Sequence, residues 1–135
     1  MPTAITLLRV LSWGLLATIA LLSVVPAAVR PGTGAHQLEH FTIFLIAGFA
    51  FGLSYSASWS LATRLAMFAA SIEVVQSFVP GRHARLSDLF LDVAGVCAGV
   101  FLASARDHVK RTLAGGRLEK RHHRKANNRL RRRNF

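Results

Sequence analysis

From Val10 to Val29 the chain runs for twenty residues without one charged side chain. A helix of about 20 apolar residues matches the hydrocarbon core of a bilayer. Three further stretches repeat the pattern. Leu38 to Ala57 is apolar apart from Glu39 and His40 at its start. Leu61 to Val79 carries Arg64, Glu73 and Gln76, and Leu86 to Ala105 carries Asp88 and Asp92. The breaks hold turn-forming or polar residues: Arg30-Pro31-Gly32-Thr33-Gly34, Ser54 to Ser60, and Pro80-Gly81-Arg82. Val25-Pro26-Ala27 resembles a signal cleavage site, but the apolar run before it exceeds the usual signal core. The first stretch is therefore read as an anchor.

Charge divides the chain in two. Residues 106–135 hold twelve of the seventeen Lys and Arg and two of the six acids. Residues 1–105 hold Arg9, Arg30, Arg64, Arg82 and Arg85 against Glu39, Glu73, Asp88 and Asp92. Nine charges cannot cover the surface of a 105-residue soluble fold in a chain that is 52% apolar. The expected architecture is an all-α, integral membrane four-helix bundle over residues 1–105. A basic, disordered cytoplasmic tail is expected over 106–135. The single Cys97 excludes a disulfide framework within one chain and is expected to be a small buried hydrophobe.

Orientation follows from the basic tail, which the positive-inside rule places in the cytoplasm. With four spans both termini are then cytoplasmic, as in a multi-pass protein of the bacterial inner membrane. Trp13, Tyr55 and Trp59 fall near the inner interface, and Arg64 can snorkel there. The loops at 30–37 and 80–85 face outward. Arg30, Arg82 and Arg85 oppose the rule and call for another explanation.

With this topology the intramembrane polar residues gather at one depth. Glu39 and His40 open the second segment at its outer end. Glu73 and Gln76 lie about two turns and one turn inside the outer end of the third. Asp88 and Asp92 occupy the first two turns of the fourth. The i,i+3 and i,i+4 spacings put each pair on one helix face. A buried acid costs about 2.5–3.5 kcal/mol at a helix centre, so the group needs compensation. Arg82 and Arg85 are the nearby cations, and a guanidinium binds carboxylate or phosphate through two parallel bonds. The plainer account is a polar network that pins the helices together, with Asp88, after Ser87, acting as a helix cap. Gly48 and Gly52, and Gly95 and Gly99, form G-x-x-x-G pairs that let helix backbones approach.

These residues resemble the VanZ-like family of small multi-spanning membrane proteins. The resemblance runs from about His36 to Gly99. It rests on Glu73-Val74-Val75-Gln76, a short gap to Pro80-Gly81-Arg82, then Asp88, Gly95 and Gly99, with His40-Phe41 and Phe44 opening the second segment. The family often has Asp-Lys where this chain has His36-Gln37, and Asn where it has Asp92. The resemblance implies a cell-envelope membrane protein. The family takes its name from a member associated with resistance to teicoplanin, a glycopeptide antibiotic, and it supplies no secure reaction.

Four functions compete. The first is an outer-leaflet site that recognises an envelope lipid or a lipid-linked anionic component. Arg82, Arg85 and His40 would hold the anion, with Gln76, Asp88 and Asp92 as further ligand-binding residues. The second is modification of that lipid, with Glu73 as general base and His40 sharing the role. The third is a small transporter or proton relay, which would need a homo-oligomer to build a route. The fourth is an assembly role with a purely stabilising cluster. No cofactor fingerprint, nucleophile elbow or metal-binding spacing is present, so no cofactor or metal is expected. The tail is expected to rest on membrane lipid headgroups. It has no interleaved aromatic residue except Phe135, so nucleic acid is not an expected partner.

Overall fold

The computed structural model describes residues 3–25, 36–79 and 85–133. They form four helices: α1 (Ala4–Val24), α2 (His36–Ser54), α3 (Trp59–Gln76) and α4 (Leu86–Arg133). There is no strand among the described residues. The all-α architecture read from the sequence is the one observed.

The helix ends follow local capping. Thr3 caps α1 by accepting from the Thr6 N–H, and Ser58 caps α3 by accepting from the Leu61 N–H at 3.2 Å. α1 therefore starts well before Val10, because one charged residue, Arg9, does not stop a helix. α3 stops at Gln76, four residues before Pro80, which disfavours helical backbone just ahead of it.

Each helix buries one stripe. In α1 it is Ser12, Leu16, Ile19 and Ser23; in α3 it is Ala62, Leu65, Ala69, Ile72, Glu73 and Gln76. Spacings of three and four keep these on one face. Phe44, Ala47 and Phe51 of α2 and Val96 and Val100 of α4 complete the apolar core. α2 and α4 run parallel with backbones almost touching. A Cβ on Gly48 would lie 2.6 Å from the Val96 carbonyl oxygen, and one on Gly95 would lie 2.5 Å from that of Phe41. The two glycine pairs thus act as the small-residue seam their spacing predicts.

The outside of the bundle is more apolar than a soluble surface allows. Val10, Leu11, Leu21, Met67, Phe78, Phe90 and Phe101 are exposed, while Ser12, Ser23, His40, Ser54, Glu73, Gln76, Asp88 and Asp92 are buried. Lipid as solvent explains that inversion. Three helices are long and apolar enough to cross a membrane: Ala4–Val24, Gln37–Ser54 and Leu86–Leu113. The fourth expected crossing, α3, falls short. Its 18 residues span about 27 Å, and Arg64, Glu73 and Gln76 dilute its hydropathy.

Two further expectations are corrected. Cys97 is exposed, because α4 buries Val96 and Val100 and position 97 turns off that stripe. The expected disordered tail is helical to Arg133: residues 106–133 hold no proline and are rich in Lys and Arg, both good helix formers. Met1–Ser104 and Ala105–Phe135 form separate compact units.

Candidate functional site

The end of the bundle where α1 and α3 finish and α2 and α4 begin gathers most of the polar residues singled out in the sequence. His40 lies in the second turn of α2, where Phe44 packs one turn further on. Its Nδ1 donates to Asp92 Oδ1 at 2.9 Å, and Asp92 is fully buried. Glu73, in the last turn of α3, reaches a different group. Its Oε1 accepts from the backbone N–H of Arg85. Arg85 is in turn the N-cap of α4, since its carbonyl accepts from the Asp88 and Leu89 N–H groups at 2.9 and 3.3 Å. Glu73 therefore ties the end of α3 to the start of α4.

Asp88 is buried in the first turn of α4, where Ser87 Oγ donates to its Oδ1 at 3.3 Å. An acid at that position complements the helix dipole. Glu73 and Asp88 lie within electrostatic reach of His40, as Asp92 does. Two buried carboxylate oxygens, Glu73 Oε2 and Asp92 Oδ2, have no hydrogen-bond partner among the described residues. Buried polar atoms are rarely left so, and each calls for an explanation.

Gln76 sits one turn beyond Glu73 on the same face. It lines a cavity of about 50 Å³ together with Ser23, Glu39 and His40, walled by apolar side chains that include Ile43 and Phe44. Leu22 and Glu39, both exposed, carry the lining to the surface. A second cavity, of about 310 Å³, lies between the start of α3 and the middle of α4. Ser58, Trp59, Cys97, Val100 and Phe101 line it, with no acid or base among the lining residues. The smaller cavity holds the polar chemistry.

Of the residues expected to form a site, His40, Glu73, Gln76, Asp88 and Asp92 are thus brought to one end and buried. Arg85 is there too, through its main chain; the residue as a whole is exposed. Arg82 lies outside the described residues, as do Arg30 and the Pro80-Gly81 turn. No three His, Cys, Asp or Glu side chains among the described residues are grouped to hold a metal ion. One contributor went unread in the sequence: Ser23, on the helix taken as a plain anchor. Its signal was the 12, 16, 19, 23 spacing, in which two serines share a stripe with Leu16 and Ile19.

The VanZ/LLP1 family profile matches residues 6–107. The chain belongs to the VanZ/LLP1 family. The match takes in α1 as well as the segment from His36 to Gly99, so every residue of the cluster, Ser23 included, lies in the VanZ/LLP1 region. Residues 108–135 lie beyond it. A search of curated proteins and a search of solved structures each returned no significant match.

Proposed function

We propose that this VanZ/LLP1 protein recognises the headgroup of an envelope lipid, or of a lipid-linked anionic component, at the His40 end of its bundle. The observation that carries the reading is the cavity beside His40 and Gln76, which reaches the surface at Leu22 and Glu39. It combines an apolar wall, suited to a lipid, with convergent polar groups. Pockets that enclose a whole small molecule measure about 300–1,000 Å³. This one, at about 50 Å³, takes only the tip of a headgroup, the rest staying at its mouth. Arg82 and Arg85 are the cations for the phosphate, and Asp88 and Asp92 orient the site.

The basic segment after Ala105 sets the topology in this reading. With α3, short as it is, taken as a fourth crossing of the inner membrane, both termini are cytoplasmic and the His40 end lies in the outer leaflet. Two rivals are less well supported. A relay across the membrane meets a dry block of Leu16, Ile19, Phe44, Ala47, Phe51 and Leu65 in mid-bundle. A purely stabilising cluster would be expected to satisfy its own acids, whereas Glu73 and Asp92 each keep an oxygen with no partner among the described residues.

The test is the set of lipids that co-purifies with the protein, read by native mass spectrometry. Arg82→Ala should lose the bound headgroup class while expression and insertion persist. Identical lipids on variant and wild type would refute the proposal. Modification of the lipid, with Glu73 as base beside His40, is the second arm. It requires turnover of a labelled envelope lipid that disappears in Glu73→Gln.

A further inference from the structure

The first five turns of α4 have two opposite faces. The inward one carries Asp88, Asp92, Gly95, Val96 and Ala103, all buried. The outward one carries Phe90, Ala94, Cys97, Phe101 and Ser104, all exposed, with Phe90 at 81% and Phe101 at 70%. The steps along this outward stripe are four, three, four and three residues. That is a heptad seam, the pattern by which two helices pair side by side.

The 310 Å³ cavity opens on the same stripe. α4 lends it Cys97, Val100, Phe101 and Ser104, a diamond at steps of three, four and seven from its first member. Four residues so placed form the hole that takes one side chain of a facing helix in a coiled coil. Ala57, Trp59 and Ala62 deepen the hole from the other side. In a parallel pair the side chain that meets it stands level with Phe101, and so is the facing copy's own Phe101. A cavity of about 150 Å³ holds a benzene ring, so a phenyl side chain fits here.

We infer that two copies of this chain pair along the outward face of α4, each seating its Phe101 in the other's cavity. The membrane sets the direction. Copies inserted with one topology lay their α4 helices parallel, and a two-fold axis along the bilayer normal brings equal positions together. Ala94, Cys97 and Ser104 are small enough to let the two helices approach. A buried aromatic side chain covers about 150–250 Å², and a stripe led by two of them in each copy covers about 1,000 Å², the area expected of a specific interface. Like charge in the segments after Ala105 opposes the pair, and salt screens it beyond about 8–10 Å. The pairing does not depend on the headgroup site, since Asp88 and Asp92 lie on the opposite face of α4.

Cys97 is the single cysteine of the chain and lies on the seam, so oxidation reads the pairing directly. A disulfide needs Cα atoms about 4.4–6.8 Å apart, which equal seam positions of a close parallel pair can meet. Full-length protein in its membrane is treated with copper phenanthroline and run without reductant, and its mass is read by native mass spectrometry. A dimer band should form, revert with reductant, and keep its yield when the protein is diluted with excess lipid. In a Cys97→Ser background, Phe90→Cys and Ser104→Cys, one heptad away on either side, should link as well. Leu102→Cys, which is turned off the stripe, should not. Phe101→Ala, at an exposed position, should weaken the pair about tenfold. A single-copy mass with no dimer band would overturn the inference and leave lipid on this face. A dimer mass with no band at any seam position would put the interface elsewhere and overturn it too. Equal linking at Leu102→Cys, or a yield that falls in proportion to dilution, marks chance collision and has the same consequence. A Phe101→Ala variant that pairs as tightly as wild type would refute the seating of Phe101.

Discussion

At the Arg9 end of the bundle every buried hydroxyl is answered. Ser12 and Ser54 meet at 2.9 Å, and Ser12 lies 2.8 Å from the Leu8 carbonyl, Ser54 2.7 Å from that of Ala50. Arg9 Nε donates to the Ser54 carbonyl, its guanidinium lies 4.9 Å from the Tyr55 ring centre, and Trp13 Nε1 donates to the Tyr55 hydroxyl at 3.0 Å. At the His40 end Asp92 holds the imidazole and Glu73 and Asp88 are also buried, two carboxylate oxygens lack partners among the described residues, and Gln76 lines a cavity. Both ends bury polar atoms in an apolar bundle. Saturation fits the first to a clasp, and the deficit at the second is what the proposed site rests on.

The sharpest way to break that contrast is to remove the group that holds the site together. Asp92→Ala should destabilise the protein by about 3–5 kcal/mol, because it leaves His40 buried without its partner. Thermal unfolding in detergent would show this, and Asp92→Asn should recover most of the loss by keeping an acceptor. Gly48→Leu should cost about 1–3 kcal/mol or more, since the side chain would drive α2 off the Val96 backbone. That effect should appear as lost folded protein rather than altered ligand preference.

Two milder substitutions separate the ends. Glu73→Gln keeps an acceptor for the Arg85 N–H and relieves a buried acid. Its unfolding free energy should stay within about 1 kcal/mol of wild type while lipid retention falls. Full function with a lowered midpoint would instead favour a stabilising role. Ser54→Ala should cost about 0.6 kcal/mol, the average for such bonds between membrane helices, and leave lipid retention unchanged.

Much of this contrast was legible in the sequence, for a physical reason. An acid, a histidine or an amide in an apolar segment is costly enough to stand out, so His40, Glu73, Gln76, Asp88 and Asp92 declared themselves. The glycine pairs did so by spacing. Less visible were groups whose cost is small or whose contact is made by the main chain. Ser23 hardly alters the hydropathy of α1. Arg85 was read for its guanidinium, yet its backbone N–H makes the contact with Glu73. The start of α1 at Ala4 depends on a threonine cap that a search for uncharged runs passes over.

The most direct test of the contrast is the rise in unfolding temperature when native lipid extract is added to Glu73→Gln and to Ser54→Ala. A ligand that binds only the folded protein raises that temperature with its concentration. The account predicts that Ser54→Ala keeps the wild-type rise and Glu73→Gln loses it. An equal rise in both variants, or an equal loss, would contradict the assignment of recognition to the His40 end alone.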